Sequence, residues 1–270
     1  MSPAASANDR HIAPMRVPEI TIWFWILKGL STAMGESTSD FLVHRIGPVP
    51  AVLLGFLAFS VALARQLHAQ RYLAWRYWGA VTMIGVFGTM VAYVVHIGLH
   101  VPYAASVVTF AMVLGATFAL WQRTEGTLSI HTISSTRREL YYWVVVVATF
   151  ALGTAVGDLS AITFHLGYLR SIGIFAIVIG IAAIGYRLIC WNAIFSFWFA
   201  YVMTRPLGAS IADALGKPRI AGGIGVGSGW VALALTLAIM LIVADLARTR
   251  RDVTRRSQPK GPRDLADHRH

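Results

Sequence analysis

Apolar residues run almost unbroken for about twenty positions at a time, and polar residues gather in the gaps between those runs. A helix that crosses a bilayer needs roughly 20 such residues. Eight runs of this kind can be read, at about 20–42, 49–64, 77–99, 103–121, 140–162, 170–187, 192–215 and 228–247. The second is short, and its helix is expected to continue through Arg65 toward Gln70, with long side chains reaching to the interface. The predicted class is an all-α polytopic membrane protein. Residues 1–19 form an N-terminal arm, 20–247 the transmembrane domain and 248–270 a basic tail. The arm is polar and leads straight into a run long enough to span, so no cleavable signal peptide is expected.

Within the runs one short pattern recurs. Gly35-Glu36-Ser-Thr-Ser39-Asp40, Gly153-Thr-Ala-Val-Gly157-Asp158 and Gly208-Ala-Ser-Ile-Ala212-Asp213 each set a small residue, another small residue four positions on, and then an aspartate. Gly88-Thr-Met-Val-Ala92-Tyr93 keeps the frame and loses the acid. The frames stand 53, 65 and 55 residues apart. Such self-similarity predicts four copies of a two-span unit, at about 20–76, 77–139, 140–191 and 192–247. A step of two spans preserves orientation, so the copies are expected to be parallel and related about an axis along the membrane normal. All four frames then lie at one depth, in the outward half of spans 1, 3, 5 and 7. Small residues four apart let helix backbones approach closely. This assigns Gly35, Gly88, Gly153, Gly157 and Gly208 to helix packing, within the chain or in a homo-oligomer.

Charge sets the orientation. Only 13% of the chain is charged, about half of what a soluble domain carries. The net +11 lies mostly in loops and the tail. Seventeen Lys and Arg fall on one side of the eight spans and four (Arg45, Arg170, Lys217 and Arg219) on the other. The positive-inside rule then puts both termini in the cytoplasm of a bacterial inner membrane. The tail, mixed in charge and poor in apolar residues, reads as disordered and suited to anionic lipid rather than nucleic acid. The single Cys190 excludes an intrachain disulfide.

Acids inside apolar helices are costly and mark function by default. Glu36, Asp40, Asp158 and Asp213 are the four, three of them at equivalent frames and Glu36 one turn deeper than Asp40. Two cations accompany them: Lys28 is eight residues before Glu36, and Arg205 eight before Asp213. Either they form structural ion pairs with those acids or they act as tethered cations that compete with a transported one. Arg205 stands in Thr204-Arg205-Pro206, where proline is expected to kink or break the helix. The acid-less copy carries His96 and His100, four apart, and His165 follows Asp158 by seven. Imidazole and carboxylate together suit a divalent metal, which makes His96, His100, Asp158 and Asp213 a candidate ligand set. The glycine-rich Gly222–Gly229 lacks the Lys-Ser/Thr of a phosphate loop and is expected to be a flexible or re-entrant connection. No nucleophile–base pair appears, so no enzyme is expected, and nothing implies a cofactor.

The stretch Tyr201-Val-Met-Thr-Arg-Pro-Leu-Gly-Ala-Ser210, with the Gly153–Asp158 and Gly35–Asp40 frames, resembles a family of bacterial uncharacterised membrane-anchored proteins built from a repeat of unknown function. The resemblance covers about 20–247 and implies an integral inner-membrane protein. Tyr93, where the other frames have Asp, departs from a symmetric four-acid site. The functional expectation is a transporter or permease for a small cation, with a divalent metal, exported or proton-coupled, as its specific form. The alternative is a non-transporting scaffold or sensor that oligomerises through its glycine faces.

Overall fold

The computed structural model describes residues 15–253. Residues 1–14 and 254–270, which hold most of the predicted basic tail and its lipid contact, lie outside the described residues. Within them the chain forms α1 (Ile22–Ile46), α2 (Pro48–Leu67), α3 (Ala74–Tyr93), α4 (Tyr103–Glu125), α5 (Thr136–Asp158), α6 (Gly167–Leu188), α7 (Ala193–Gly216) and α8 (Ser228–Thr249). No strand occurs among the described residues. Helices α2, α3, α4, α5, α6 and α8 are long and apolar enough to cross a membrane. Helices α1 and α7, of 25 and 24 residues, match them in length but carry charged side chains along their middles. The protein is membrane-embedded.

The helix ends follow local chemistry. Gly47, at φ 86°, turns the chain between α1 and α2, and Pro48 opens α2 where no intrahelical donor is needed. Helix α2 stops at Leu67, short of the expected Gln70. Helices α3 and α5 are each prolonged by a π-helical turn, Val94–Gly98 and Leu159–Thr163. Contrary to expectation, Pro206 does not break α7, which runs from Ala193 to Gly216. The reason is packing. The ring of Pro206 lies against Gly153 and Gly157 of α5, where two absent side chains make room for it.

Four helices form a closed inner ring: α1 packs on α3, α3 on α5, α5 on α7, and α7 back on α1. The others lie outside, α2 on α3, α4 on α5, α6 on α7, and α8 on α1. Burial separates the two sets. In the most apolar stretches of α3 and α5, 61% and 67% of residues are buried, against 11–28% for α2, α4, α6 and α8.

The frame glycines build the ring. Gly35 meets Gly85, Gly88 meets Phe150, Gly153 meets Arg205, and Gly208 meets Thr32. Each partner stands three residues before the frame glycine of the next ring helix, so one contact recurs four times around the circle. A Cβ on Gly35 would lie 2.6 Å from the carbonyl carbon of Gly85, closer than any side chain tolerates.

Candidate functional site at the centre of the helix ring

Arg205 is fully buried at the middle of the ring. Its guanidinium donates to the Glu36 carboxylate at 2.8 Å, the Thr32 carbonyl at 3.2 Å, the Thr154 hydroxyl at 2.9 Å and the Thr89 hydroxyl. The Thr89 hydroxyl also lies 3.3 Å from the same Glu36 oxygen. Every ring helix therefore contributes: Thr32 and Glu36 from α1, Thr89 from α3, Thr154 from α5 and Arg205 from α7. Glu36, Thr89 and Thr154 occupy one repeat position, immediately after their frame glycines. Thr204, beside Arg205, turns its hydroxyl back to the Ala200 carbonyl and stays outside the network. A buried charge pair persists when most of its remaining hydrogen-bonding capacity is met; the threonines meet that of the terminal guanidinium nitrogens, while the Arg205 Nε has no partner among the described residues.

This pairing corrects one of the two sequence readings, the one in which Arg205 pairs with Asp213 and Lys28 with Glu36. Eight residues along a helix separate side chains by about 12 Å. Axes of neighbouring helices lie about 8–10 Å apart, so a long side chain finds its partner across the ring instead. Lys28 pairs with no carboxylate among the described residues. It is 1% exposed, and its Nζ stands 4.0 Å from the Phe150 ring centroid and 4.2 Å from that of Tyr201, without a hydrogen-bond acceptor among the described residues. The Arg205 guanidinium carbon is 5.3 Å from the same Phe150 centroid, so two cations share one aromatic ring.

Asp40, Asp158 and Asp213 gather at one end of the ring. The Lys217 ammonium pairs with Asp40 and lies 3.7 Å from Asp213. Burial pulls Lys217 down, but Asp213 and Asp40 outweigh it and hold the ammonium above the usual lysine range. Lys217 was counted among the loop charges in the sequence reading; the turn that follows it makes it part of the site. In that turn Ile224, Val226 and Gly227 donate their N–H groups to the carbonyls of Ala214, Leu215 and Gly216 at 2.7, 3.0 and 3.2 Å. The glycine-rich stretch is thus an ordered cap on α7. Asp158 is half-buried and makes no hydrogen bond or ion pair among the described residues, while Glu36, Arg205, Lys217 and Asp40 are all within electrostatic range of it. Tyr93, the fourth frame residue, lines an apolar cavity of about 370 Å³ with Pro48, Val49, Val52 and Leu53 of α2.

His96, His100 and His165 do not join the acids. His96 lies against the Tyr103 ring, 4.2 Å between centroids, with its Nδ1 3.3 Å from the Val101 carbonyl. His100 and His165 close the two π-helical turns with φ of 54° and 52° and are exposed. Among the described residues no three His, Cys, Asp or Glu side chains converge as a metal-ligand set. An i, i+4 histidine spacing assumes α-helix, and at His96 and His100 the chain has left it.

The opposite end of the ring carries a feature that the frames alone do not reveal. Ten residues before each frame glycine stands a tryptophan (Trp25, Trp78, Trp143, Trp198), preceded by Phe24, Tyr77, Tyr142 and Phe197. Each first ring packs on the tryptophan of the next helix: Phe24 on Trp78 at 5.7 Å, Tyr77 on Trp143 at 5.5 Å, Tyr142 on Trp198 at 6.1 Å, and Phe197 on Trp25 at 5.8 Å. Extending the frame alignment by three helical turns would have found the pair in the sequence.

A family profile described as a Repeat of Unknown Function (DUF347) matches residues 76–127, 141–188 and 196–252, more than half of the chain. The chain belongs to this repeat family. The DUF347 copies correspond to α3–α4, α5–α6 and α7–α8, so the repeat is a helix pair. Their starts, at 76, 141 and 196, are 65 and 55 residues apart, the same steps as the frames. The α1–α2 pair lies outside the DUF347 match, yet carries the same aromatic pair and frame glycine in the same ring contacts. No curated protein and no solved structure matches the chain.

Proposed function

We propose that this DUF347 protein is an inner-membrane permease for a small cation. All eight helices cross the bilayer as four parallel pairs about an axis along the membrane normal, with both termini cytoplasmic. The observation that carries the reading is the acid end, where Asp40 and Asp213 share Lys217 and Asp158, from a third ring helix, lies within electrostatic range. Intramembrane carboxylates on a repeat scaffold are the usual makings of an ion pathway. A cation enters from the outward side and binds at Asp158, with Asp40 and Asp213 released to it as Lys217 swings away. Lys217 is the tethered competitor; the Glu36–Arg205 pair closes the floor beneath. A divalent metal held by Asp158 and Asp213, with water completing its shell, is the specific form of the proposal. The frame glycines are used up inside the ring, which favours a permease over a scaffold that oligomerises through them.

The test is flux. Purified protein in liposomes should carry at least one of Na⁺, K⁺ or Mn²⁺ above protein-free controls, and Asp158→Asn should remove that flux while folding normally. Equal flux with and without Asp158 would overturn the reading.

A further inference from the structure

The two ends of the ring are closed to different degrees. At the acid end Asp158 is half-buried and the Lys217 side chain is 26% exposed. At the tryptophan end Tyr77, Trp78, Tyr142 and Trp143 are each no more than 2% exposed. A permease has to open there as well, and the segment Met15–Glu19 is fastened across that end. We infer that this segment is a latch that holds the tryptophan end shut, with the Arg16–Glu139 ion pair as its catch; its part in ion passage rests on the permease reading.

The segment joins opposite helices. It runs into α1, yet its hydrogen bonds go to the far side of the ring. The Met15 carbonyl accepts from the Tyr72 N–H at 2.9 Å, just before α3, and the Arg16 N–H donates to the Ile133 carbonyl at 3.2 Å, just before α5. Arg16 Nη1 donates to the Thr136 hydroxyl at 3.2 Å and the Glu139 carboxylate at 2.7 Å, both in the first turn of α5. Helix α5 stands opposite α1, since each packs on both α3 and α7. Six extended residues reach up to about 20 Å, enough for that diagonal when neighbouring axes lie about 8–10 Å apart. Between the attachments Val17 is buried, and the Glu19 N–H donates to the Asp252 carbonyl at 3.0 Å. The strap is held along its whole length.

Glu139 ties the strap to the aromatic belt. It is fully buried, and its two oxygens have different partners. Oε2 takes Arg16, while Oε1 accepts from Gln66 at 3.0 Å and from Trp143 Nε1 at 3.3 Å. Tyr77 of α3 packs on that same tryptophan. Without Arg16 the carboxylate is a buried charge in need of water, and its route to water pulls on Trp143. The contact is also built to release. Arg16 Nε, Gln66 Oε1, Thr21 Oγ1 and Asp252 Oδ1 are buried along the strap without hydrogen-bond partners among the described residues. Each such atom opposes closure, and water would meet all four on opening. Closure therefore depends on the charge-assisted Arg16–Glu139 pair. Arg16, its side chain 15% exposed, already borders water and has a short way to go. Arg16, Gln66 and Glu139 fall outside the residues matched by the DUF347 profile, so the catch is not part of the repeat.

The experiment uses the full chain in detergent, with Cys190→Ser as background and one new cysteine as the probe. Ala74 holds on α3 the repeat position that Glu139 holds on α5, four residues before the belt tryptophan, and is 8% exposed. In Ala74→Cys a charged, water-soluble maleimide should react slowly. Adding Glu139→Gln leaves no buried charge stranded, because Arg16 can turn to water. It should raise the rate at position 74 by roughly tenfold or more, since reaction follows the open population. Arg16→Gln should act in the same direction. A control, Thr149→Cys, starts from a fully buried position on α5 and should stay unreactive with either change. An unchanged rate at position 74 would overturn the latch, and so would equal acceleration at position 149, which means that the whole ring has loosened. Liposome flux of ²²Na⁺ or Mn²⁺ tests the part in passage: Glu139→Gln should raise it several-fold. Wild-type flux through a protein whose position 74 has become reactive would refute that part. If wild type carries no probe ion, the permease reading fails, while the rates at position 74 still decide the latch.

Discussion

At the tryptophan end of the ring all four ring helices supply a Phe or Tyr followed by a Trp, and each pair packs on the next around the circle. Fifteen residues further along each helix, at the acid end, the repeats supply Asp40, Tyr93, Asp158 and Asp213, and a lysine from beyond α7 joins two of them. The layer between is more uneven still, since Thr32, Gly85, Phe150 and Arg205 occupy one repeat position. Packing explains the first case. Equivalent helices that meet at equivalent angles present equivalent gaps, and one large side chain fills all four. Charge explains the second. Four identical acids or four identical arginines around one axis would repel, whereas one arginine, one glutamate and two threonines make a network in which the two charges pair. Symmetry therefore holds where the ring needs only to be filled, and fails where it has to hold charge.

The contrast can be broken most severely at its middle layer. Arg205→Met strands the Glu36 carboxylate and should cost about 3–5 kcal/mol, read as a collapse of folded yield or a large fall in melting temperature in detergent. Adding Glu36→Leu should recover most of that loss; a double variant as unstable as the single one would mean the cost is packing rather than charge. Next in size is Trp143→Ala, expected to cost about 3 kcal/mol through the cavity it leaves. Cation binding at the acid end should not change, and a fall in affinity would show that the two ends are coupled. Asp158→Asn should do the opposite. It loses no partner within the protein, so stability should stay near wild type while cation binding, by calorimetry, weakens by about 1–3 kcal/mol. The smallest effect is a pH series. Lys217 is held above its ordinary value, so its stabilisation is complete below about pH 10.4 and is lost only as pH rises past the raised value. Melting temperature should not fall between about pH 7 and 9 through this group, and Lys217→Met should lower stability by no more than about 1 kcal/mol.

Much of this architecture could be read without coordinates. Eight apolar runs became eight helices because the length and hydropathy of a segment are local properties that tertiary contacts rarely override in such chains. The repeat was legible for the same reason: a glycine and an acid at fixed spacing survive alignment of the chain with itself, and the frame glycines do make the ring contacts. What lay beyond reach were the choices made between helices. Arg205 finds Glu36 across 169 positions, and Lys217 finds Asp40 across 177. Spacing along one helix could suggest only partners on that helix, which the helical rise puts too far apart. The course of α7 through Pro206 depends on two glycines of another helix, and the dispersal of His96 and His100 on a π-helical turn that no hydropathy pattern announces. Sequence determined which segments are helices and which positions repeat. Only the tertiary structure decided which charges meet, because that depends on distances across the ring, and these exist only once the helices have packed.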